Sequence, residues 1–273
     1  MTAAIGQIRA VAFDLDDTLL RDDLSISDET VDTFRILHEH GIRILPASGR
    51  AMMSMKPFVE RVGHAAMCIA CNGAEIWDGG MRRLLYQETF SAELGREIAR
   101  FGQAHGCYTQ TYAGDSFFYN EHSVWAERYA AASLLKGVFV GDLTEFIREP
   151  RTKILMMDDP EKIAVLLAKA REQFDGRLSV TCSKPWFLEF NPLLATKGNA
   201  LGRTAEKLGF TVENVMAFGD SLNDLSMLEV AGWSVVVANG REELKPLCRS
   251  VCPSNQEDGV AHFLRDAFRG VCF

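Results

Sequence analysis

The 273 residues, 47% of them apolar and 24% charged, are ordinary for a soluble globular protein and suffice for one large domain or two modest ones. A formal net charge of −8 with no Lys/Arg block argues against nucleic acid as a partner, because phosphate-backbone affinity rests on clustered positive charge. Apolar runs such as 233–238 are too short to span a bilayer, and the run at 11–13 meets Asp14 at once, so neither a membrane span nor a secretory leader is expected and the chain reads as cytoplasmic.

The seven cysteines are odd in number and scattered, unlike the framework of a small secreted disulfide domain. Cys68 and Cys71 form a C-x-x-C, and Cys248 and Cys252 lie four apart. Both pairs read as buried thiols in or near core strands rather than as a zinc or redox site.

Residues 9–15 give a short apolar run that suits a strand in a sheet covered on both faces. A helix follows, with Ser27 as N-cap, Asp28 and Glu29 in its first turn, and Gly41 as its stop. Val31, Phe34 and Leu37 give it one apolar stripe. A second strand at 42–47 leads through Ser48-Gly49-Arg50 into another helix from about residue 51. Pro46 lacks a ladder donor and belongs near that strand's end. A third strand is expected at 66–70. Such strand–helix–strand alternation implies parallel strands joined by right-handed crossovers.

The grammar then changes. Residues 75–78, Gly79-Gly80 and 82–90 suit a hairpin. A helix near 92–105, aromatic-rich strands at 107–112 and 116–119, and a helix near 124–135 come next. A strand at 153–157, a helix at 160–174 and strands at 178–182 and 186–190 complete an α+β stretch. The first grammar returns with a helix at 198–208, a strand at 215–218, a helix at 223–231, a strand at 233–237 and a last helix at 259–268. The pattern predicts an α/β core made of 1–81 and 189–273, with a second domain at 82–188 inserted into it.

The strongest chemical signal is Asp14-Leu15-Asp16-Asp17-Thr18-Leu19 at the carboxyl end of the first strand, the end where open α/β sheets hold ligands. Side chains two apart on a strand point the same way, so Asp14 and Asp16 are expected to enter one cleft together. Close carboxylates raise one another's pKa unless a cation intervenes, and Mg²⁺ favours oxygen ligands. Taken alone, Asp16 and Asp17 could simply open a loop. A second signal, Gly219-Asp220-Ser221-Leu222-Asn223-Asp224, stands where another apolar strand meets a helix. Asp220 is placed to complete a metal site, or else Asp220 or Ser221 caps the helix. In Thr196-Lys197-Gly198 a lysine sits at the positive end of a helix, intelligible if phosphate and carboxylates surround it. In Ser48-Gly49-Arg50 a hydroxyl and backbone amides at a helix N-terminus can hold phosphoryl oxygens.

In this order and spacing the four signals resemble the haloacid dehalogenase superfamily. Asp14-x-Asp16 looks like its first motif, Ser48 its second, Lys197 its third, and Gly219-Asp220-x-x-Asn223-Asp224 its fourth. Asn72-Gly73-Ala74 and the stretch from Ser254 to Val260 are similar to segments of the Cof-type subgroup. The resemblance spans the chain. It implies a Rossmann-like parallel-sheet core with an inserted α+β cap of type IIB, which closes over the cleft and presents specificity residues. Ser48 stands where Thr is commoner and keeps the hydroxyl. Ala238-Asn239-Gly240 has no functional account at this level.

The resemblance also implies roles. Asp14 attacks phosphorus, and Asp16 protonates the leaving alcohol and then takes a proton from the hydrolytic water. Mg²⁺ is held by the Asp14 carboxylate, the Asp16 backbone carbonyl and Asp220. Lys197, Ser48, Gly49 and Asn223 bind the phosphoryl group, Thr18 fixes the nucleophile loop, and Asp224 orients Lys197 or a metal-bound water. Arg50 stays ambiguous between a surface ion pair and a substrate contact. A carboxyl at Asp16 favours phosphoryl transfer over dehalogenation, since halide leaves without a proton. The implied substrate is a small phosphorylated metabolite: a sugar phosphate, a nucleotide or a phosphorylated cofactor. A hexose-phosphate mutase and a non-catalytic sugar-phosphate sensor are the alternatives, though a sensor needs neither Asp14 nor Asp16.

Overall fold

Ala10–Phe13 forms the first strand (β1), and all four residues are buried, as an uninterrupted apolar run requires of a strand covered on both faces. The chain continues through helix Asp28–Glu39 (α1), strand Arg43–Pro46 (β2), helix Met52–Val62 (α2) and strands Met67–Ala70 (β3), Glu75–Asp78 (β4) and Leu84–Gln87 (β5). Helix Ala92–Ala104 (α3), strands Tyr108–Ala113 (β6) and Ser116–Tyr119 (β7), helix Val124–Ser133 (α4), strand Lys136–Phe139 (β8) and helix Leu143–Phe146 (α5) follow. Next come strand Ile154–Met157 (β9), helix Pro160–Gln173 (α6) and strands Leu178–Thr181 (β10) and Phe187–Pro192 (β11). Helix Lys197–Lys207 (α7), strand Val215–Gly219 (β12), helix Leu225–Val230 (α8), strands Trp233–Val237 (β13) and Ser250–Cys252 (β14) and helix Gly259–Ala267 (α9) complete it. This computed structural model describes residues 4–273.

These residues fall into two units. The first comprises the chain up to Tyr86 together with Thr196–Phe273, the second Gln87–Ala195. The first is built on a five-stranded, wholly parallel sheet in the order β14-β13-β12-β1-β2. Side chains alternate along it. Val11 and Phe13 join Phe34 and Leu37 of α1 and Met55 and Phe58 of α2 on one face. Ala10 and Ala12 join Leu201 of α7 and Met227 of α8 on the other. Local rules set the helices: Ser27 Oγ accepts from the Thr30 amide at 3.0 Å, and Phe34 and Leu37 are fully buried. Pro46 ends β2, the sheet's edge strand, where its missing donor costs least.

The third strand runs parallel to β2 as expected but is not a full member of its sheet. β3 meets β2 only through the isolated parallel bridges Ile44–Ala65 and Ala47–Ile69. Its main pairing is antiparallel with β4, in a sheet β3-β4-β5, because the turn at Cys71–Gly73 folds the chain straight back onto it.

The second unit carries a six-stranded sheet in the order β10-β11-β9-β6-β7-β8, antiparallel except for β7 beside β8. Its own core includes Phe101, Met156, Phe174, Leu188 and Phe190. The unit runs over 87–195 rather than 82–188, since β5 belongs to the first unit's small sheet and β11 runs on to Pro192. β8 and α5 were not expected from the sequence; three of the four residues of β8 are exposed, so no apolar alternation marks it, and α5 is a single turn whose signal is its N-cap Asp142. Among the described residues no helix is long and apolar enough to cross a membrane.

Candidate active site

β1 ends at Phe13, and the Asp14 amide still donates to the Phe218 carbonyl at 3.1 Å. On its other flank the Ala47 amide donates to the Phe13 carbonyl at 2.9 Å. The loops after β1, β2 and β12 therefore open side by side at the carboxyl edge of the parallel sheet. The strand order reverses here, with β2 on one side of β1 and β12 to β14 on the other, which is where such sheets bind ligands.

Lys197 is the first residue of α7, whose N-cap Thr196 accepts from the Asn199 amide at 3.1 Å. Its side chain is wholly buried, and Nζ donates to Asp14 Oδ1 and to Asp224 Oδ1, each at 2.6 Å. Two carboxylates at that range outweigh the unfavourable end of the helix dipole. Asp224 works with both oxygens. Its Oδ2 accepts from the Asp220 and Ser221 amides at 3.0 and 3.1 Å and so fixes the turn that presents Asp220. Asp220 Oδ1 accepts from the Thr18 hydroxyl at 2.8 Å, tying the loop after β1 to the loop after β12. The capping alternative fails: neither Asp220 nor Ser221 caps α8, whose N-cap position is Asp224.

Asp14, Asp220 and Asp224 are buried, and each offers an oxygen within 4.8 Å of the others. Burial pushes the Asp14 carboxyl up to about 7; Lys197 opposes this, and the charges of Asp224 and Asp16 add to it. Burial, together with Asp224 and Asp14, likewise holds Asp220 well above the ordinary carboxylate range, against the Thr18 hydrogen bond. Burial works against the charge of Lys197, but Asp14 and Asp224 keep it above an ordinary lysine. One ammonium cannot neutralise three carboxylates, and an all-oxygen donor set suits a hard divalent cation. Asn223 points the same way. Its Nδ2 donates to Asn72 Oδ1 at 3.1 Å, while its Oδ1 is a buried acceptor with no hydrogen-bond partner among the described residues. The residues present therefore fit Mg²⁺.

Ser48 follows β2 and is buried, its Oγ accepting from the Arg50 amide at 3.2 Å. Gly49 lies beside it in the same loop, half-buried. The Asp16 side chain, by contrast, is not one of the three grouped carboxylates. Its carboxylate takes both arms of a guanidinium, with Arg50 Nε on Oδ2 at 2.7 Å and Nη2 on Oδ1 at 2.8 Å. Strand alternation does not set this placement, because β1 has already ended at Phe13 and by Asp17 the backbone is left-handed with φ of 58°, but Asp16 stays near enough for its charge to raise the Asp14 carboxyl. Asp224, not the Asp16 side chain, completes the group of three carboxylates.

Arg50, left ambiguous between a surface ion pair and a substrate contact, pairs with Asp16, and Asn72, given no role from the sequence, accepts from Asn223. Their only signals were the adjacency of Arg50 to Ser48-Gly49 and the Asn72-Gly73-Ala74 stretch. Ala238-Asn239-Gly240 also gains an account. Asn239 Nδ2 donates to the Asp17 carbonyl at 2.7 Å, and its Oδ1 accepts from the Asn255 amide at 3.0 Å. Asn255 Nδ2 reaches the Leu20 carbonyl at 2.8 Å, and the Arg241 amide reaches the Asp220 carbonyl at 2.9 Å. These loops clamp the segment that carries Asp14 and Thr18. The thiols of Cys68 and Cys252 are pushed up to about 12 by burial, as inert core side chains are.

Fold and site together define an enzyme of the doubly wound α/β class with a centre of carboxylates and one lysine. The chain belongs to the haloacid dehalogenase-like hydrolase family, whose family model matches residues 11–264. It is similar to the 5-amino-6-(5-phospho-D-ribitylamino)uracil phosphatase of Bacillus subtilis, with 32% identity over 94% of this chain and 95% of that protein. A haloacid dehalogenase-like hydrolase from Bacteroides thetaiotaomicron superposes with a TM-score of 0.84 at 26% identity, over 96% of this chain and 100% of that one. A sugar phosphatase of subclass IIB in the same superfamily shares the fold, with a TM-score of 0.81 at 20% identity over 94% and 98% of the two chains. The chain is thus a Cof-type hydrolase of phosphatase kind, with an α/β core and an inserted cap domain.

Proposed function

We propose that the chain is a Mg²⁺-dependent phosphatase that hydrolyses small phosphate monoesters through an aspartyl-phosphate on Asp14. The observation that carries this reading is the Asp14–Lys197–Asp224 chain, joined at 2.6 Å on either side of the ammonium and set beside Asp220 at the carboxyl edge of the sheet. Lys197 fixes Asp14 through Oδ1, so Oδ2 is the oxygen proposed to form the bond to phosphorus. As it forms, the ester P–O bond breaks and its electron pair leaves on the alcohol oxygen, which takes a proton from Asp16. Water then attacks the aspartyl-phosphate, Asp16 takes its proton, and inorganic phosphate leaves. Lys197, Ser48, the Gly49 amide and Asn223 hold the phosphoryl oxygens, whose charge is spread in the transition state. Asp14, Asp220 and the Asp16 carbonyl would hold Mg²⁺, which when bound screens the carboxylates from the incoming phosphate.

The substrate class is a sugar phosphate, nucleotide or phosphorylated cofactor, with residues 87–195 as the cap that contributes leaving-group specificity. A cytoplasmic setting suits seven cysteines that stand as thiols. The deciding assay is phosphate release from hexose phosphates, nucleotides, pyridoxal phosphate and a phosphorylated ribitylaminouracil, each with Mg²⁺ and with EDTA. We expect metal-dependent release, and acid-stable ³²P label on the wild-type chain that Asp14→Asn lacks. Substantial turnover by a folded Asp14→Asn variant would sink the covalent mechanism.

A further inference from the structure

Arg50 is held from several sides. Its amide donates to Ser48 Oγ at 3.2 Å, and its carbonyl accepts from the Cys71 amide at 2.8 Å. Nη1 donates to Ser54 Oγ at 2.9 Å, and the guanidinium lies 5.0 Å from the centre of the Phe58 ring. Ser54 and Phe58 are both buried residues of α2, so the helix fixes the fork. The remaining arms grip both oxygens of Asp16 in the bidentate geometry that guanidinium and carboxylate favour. The Arg50 side chain is only 11% exposed and that of Asp16 24%, so this is no solvent-screened surface pair.

We propose that Arg50 is a positioning residue for the reaction: it sets the place from which Asp16 delivers and recovers a proton, the bidentate pair closing as Asp16 gives its proton to the leaving alcohol and opening to one contact as it takes one from water. The proposal rests on the phosphatase reading above. A fork that donates to both oxygens suits the ionised carboxylate, so one contact is released when Asp16 takes up a proton and is remade when it gives that proton away. The other keeps the carboxyl oriented. Without Arg50 the side chain at position 16 is left to wander, and the loss falls on steps that need a proton. Alkoxide departure and attack by water both do. Departure of 4-nitrophenolate, a stable anion, does not.

The test compares wild type, Arg50→Ala, Arg50→Lys and Ser54→Ala with Mg²⁺ in stopped-flow and quench experiments. 4-Nitrophenyl phosphate serves as the aryl substrate and a hexose phosphate as the alkyl one. With Arg50→Ala we expect phosphoenzyme formation from the alkyl ester to slow by about tenfold to a hundredfold, part of the roughly 10²–10⁴ that general acid catalysis supplies. The burst of 4-nitrophenolate should fall far less, while the steady state behind it slows, so the burst stands out more sharply. Arg50→Lys keeps the charge but loses the fork and should restore only part of the alkyl rate. Ser54→Ala, which loosens Arg50 without touching Asp16, should shift both substrates in the same sense by a smaller factor, and it covers the case in which Arg50→Ala does not fold. Added guanidinium should recover alkyl turnover in Arg50→Ala. Equal slowing of the aryl burst and the alkyl step would overturn the proposal and make Arg50 a phosphate contact or a purely structural residue. Unchanged rates would overturn it too. A wild-type chain that releases no phosphate from either ester would instead remove the phosphatase reading, and this inference with it.

Discussion

Lys197 stands between two carboxylates in a pocket of the fold that excludes the usual screening by water, and its removal should expose what that arrangement holds in check. Lys197→Met leaves Asp14 and Asp224 buried without their shared cation. Breaking a buried ion pair costs about 3–5 kcal/mol, so we expect a loss of that order in urea denaturation together with loss of turnover. An unchanged denaturation midpoint would show that the trio contributes nothing to stability. Asp14 has a pH signature as well. Its carboxyl titrates near 7 in the folded chain against an ordinary 3.8, so the folded state binds the extra proton between those values. That contribution to stability is complete below 3.8 and is lost as pH rises through about 7. Asp220, raised for the same reason, acts in the same direction. A divalent cation replaces the proton, so the rise in Tm caused by Mg²⁺ should be larger at pH 8 than at pH 6. A pH-independent rise would count against these carboxylates as the metal's ligands.

Helix α7 shows how closely elements must approach for the site to exist. A Cβ on Gly198 would lie 2.3 Å from the Ser226 carbonyl oxygen, and one on Gly73 the same distance from the Thr196 carbonyl oxygen. Gly73 also adopts φ of +100°, which side-chain-bearing residues rarely do. The start of α7 is thus pinched between the turn at Cys71–Gly73 and α8. Gly198→Ala should force α7 away from α8, carry Lys197 off Asp224 and lower kcat, with an overpacking cost of about 1–3 kcal/mol. Ser27→Ala at the N-cap of α1 makes a useful contrast. It removes the bond to the Thr30 amide and should cost about 1 kcal/mol in thermal unfolding while leaving kcat unchanged. Equal loss of activity in both variants would mean that kcat tracks stability rather than the placement of Lys197.

Each of the two units has a hydrophobic core of its own, and the three carboxylates that could hold a metal all lie in the discontinuous one. Ligand binding stabilises only the state it binds. Calorimetry should therefore resolve two transitions, of which Mg²⁺ moves one. If the cation moved both equally, the chain would be unfolding as a single cooperative block.

The sequence by itself determined what depends on near neighbours. Apolar runs marked β1 and β12, and an N-cap followed by acids marked α1, because these signals are satisfied within a few residues. Edge strands β8 and β14 were invisible for the converse reason: short or exposed, they owe their form to a partner strand and not to their own pattern. Asp14, Lys197 and Asp220 could be singled out from order and spacing, each standing where a strand or helix begins or ends. What those side chains touch was decided by tertiary structure alone. Lys197 meets Asp14 across 183 positions of sequence, and Asp16 pairs with Arg50, 34 positions on. Spacing along a strand tells where side chains point only while the strand lasts. Beyond Phe13 the backbone leaves the sheet, and the opposite charge that the fold brings within reach takes over.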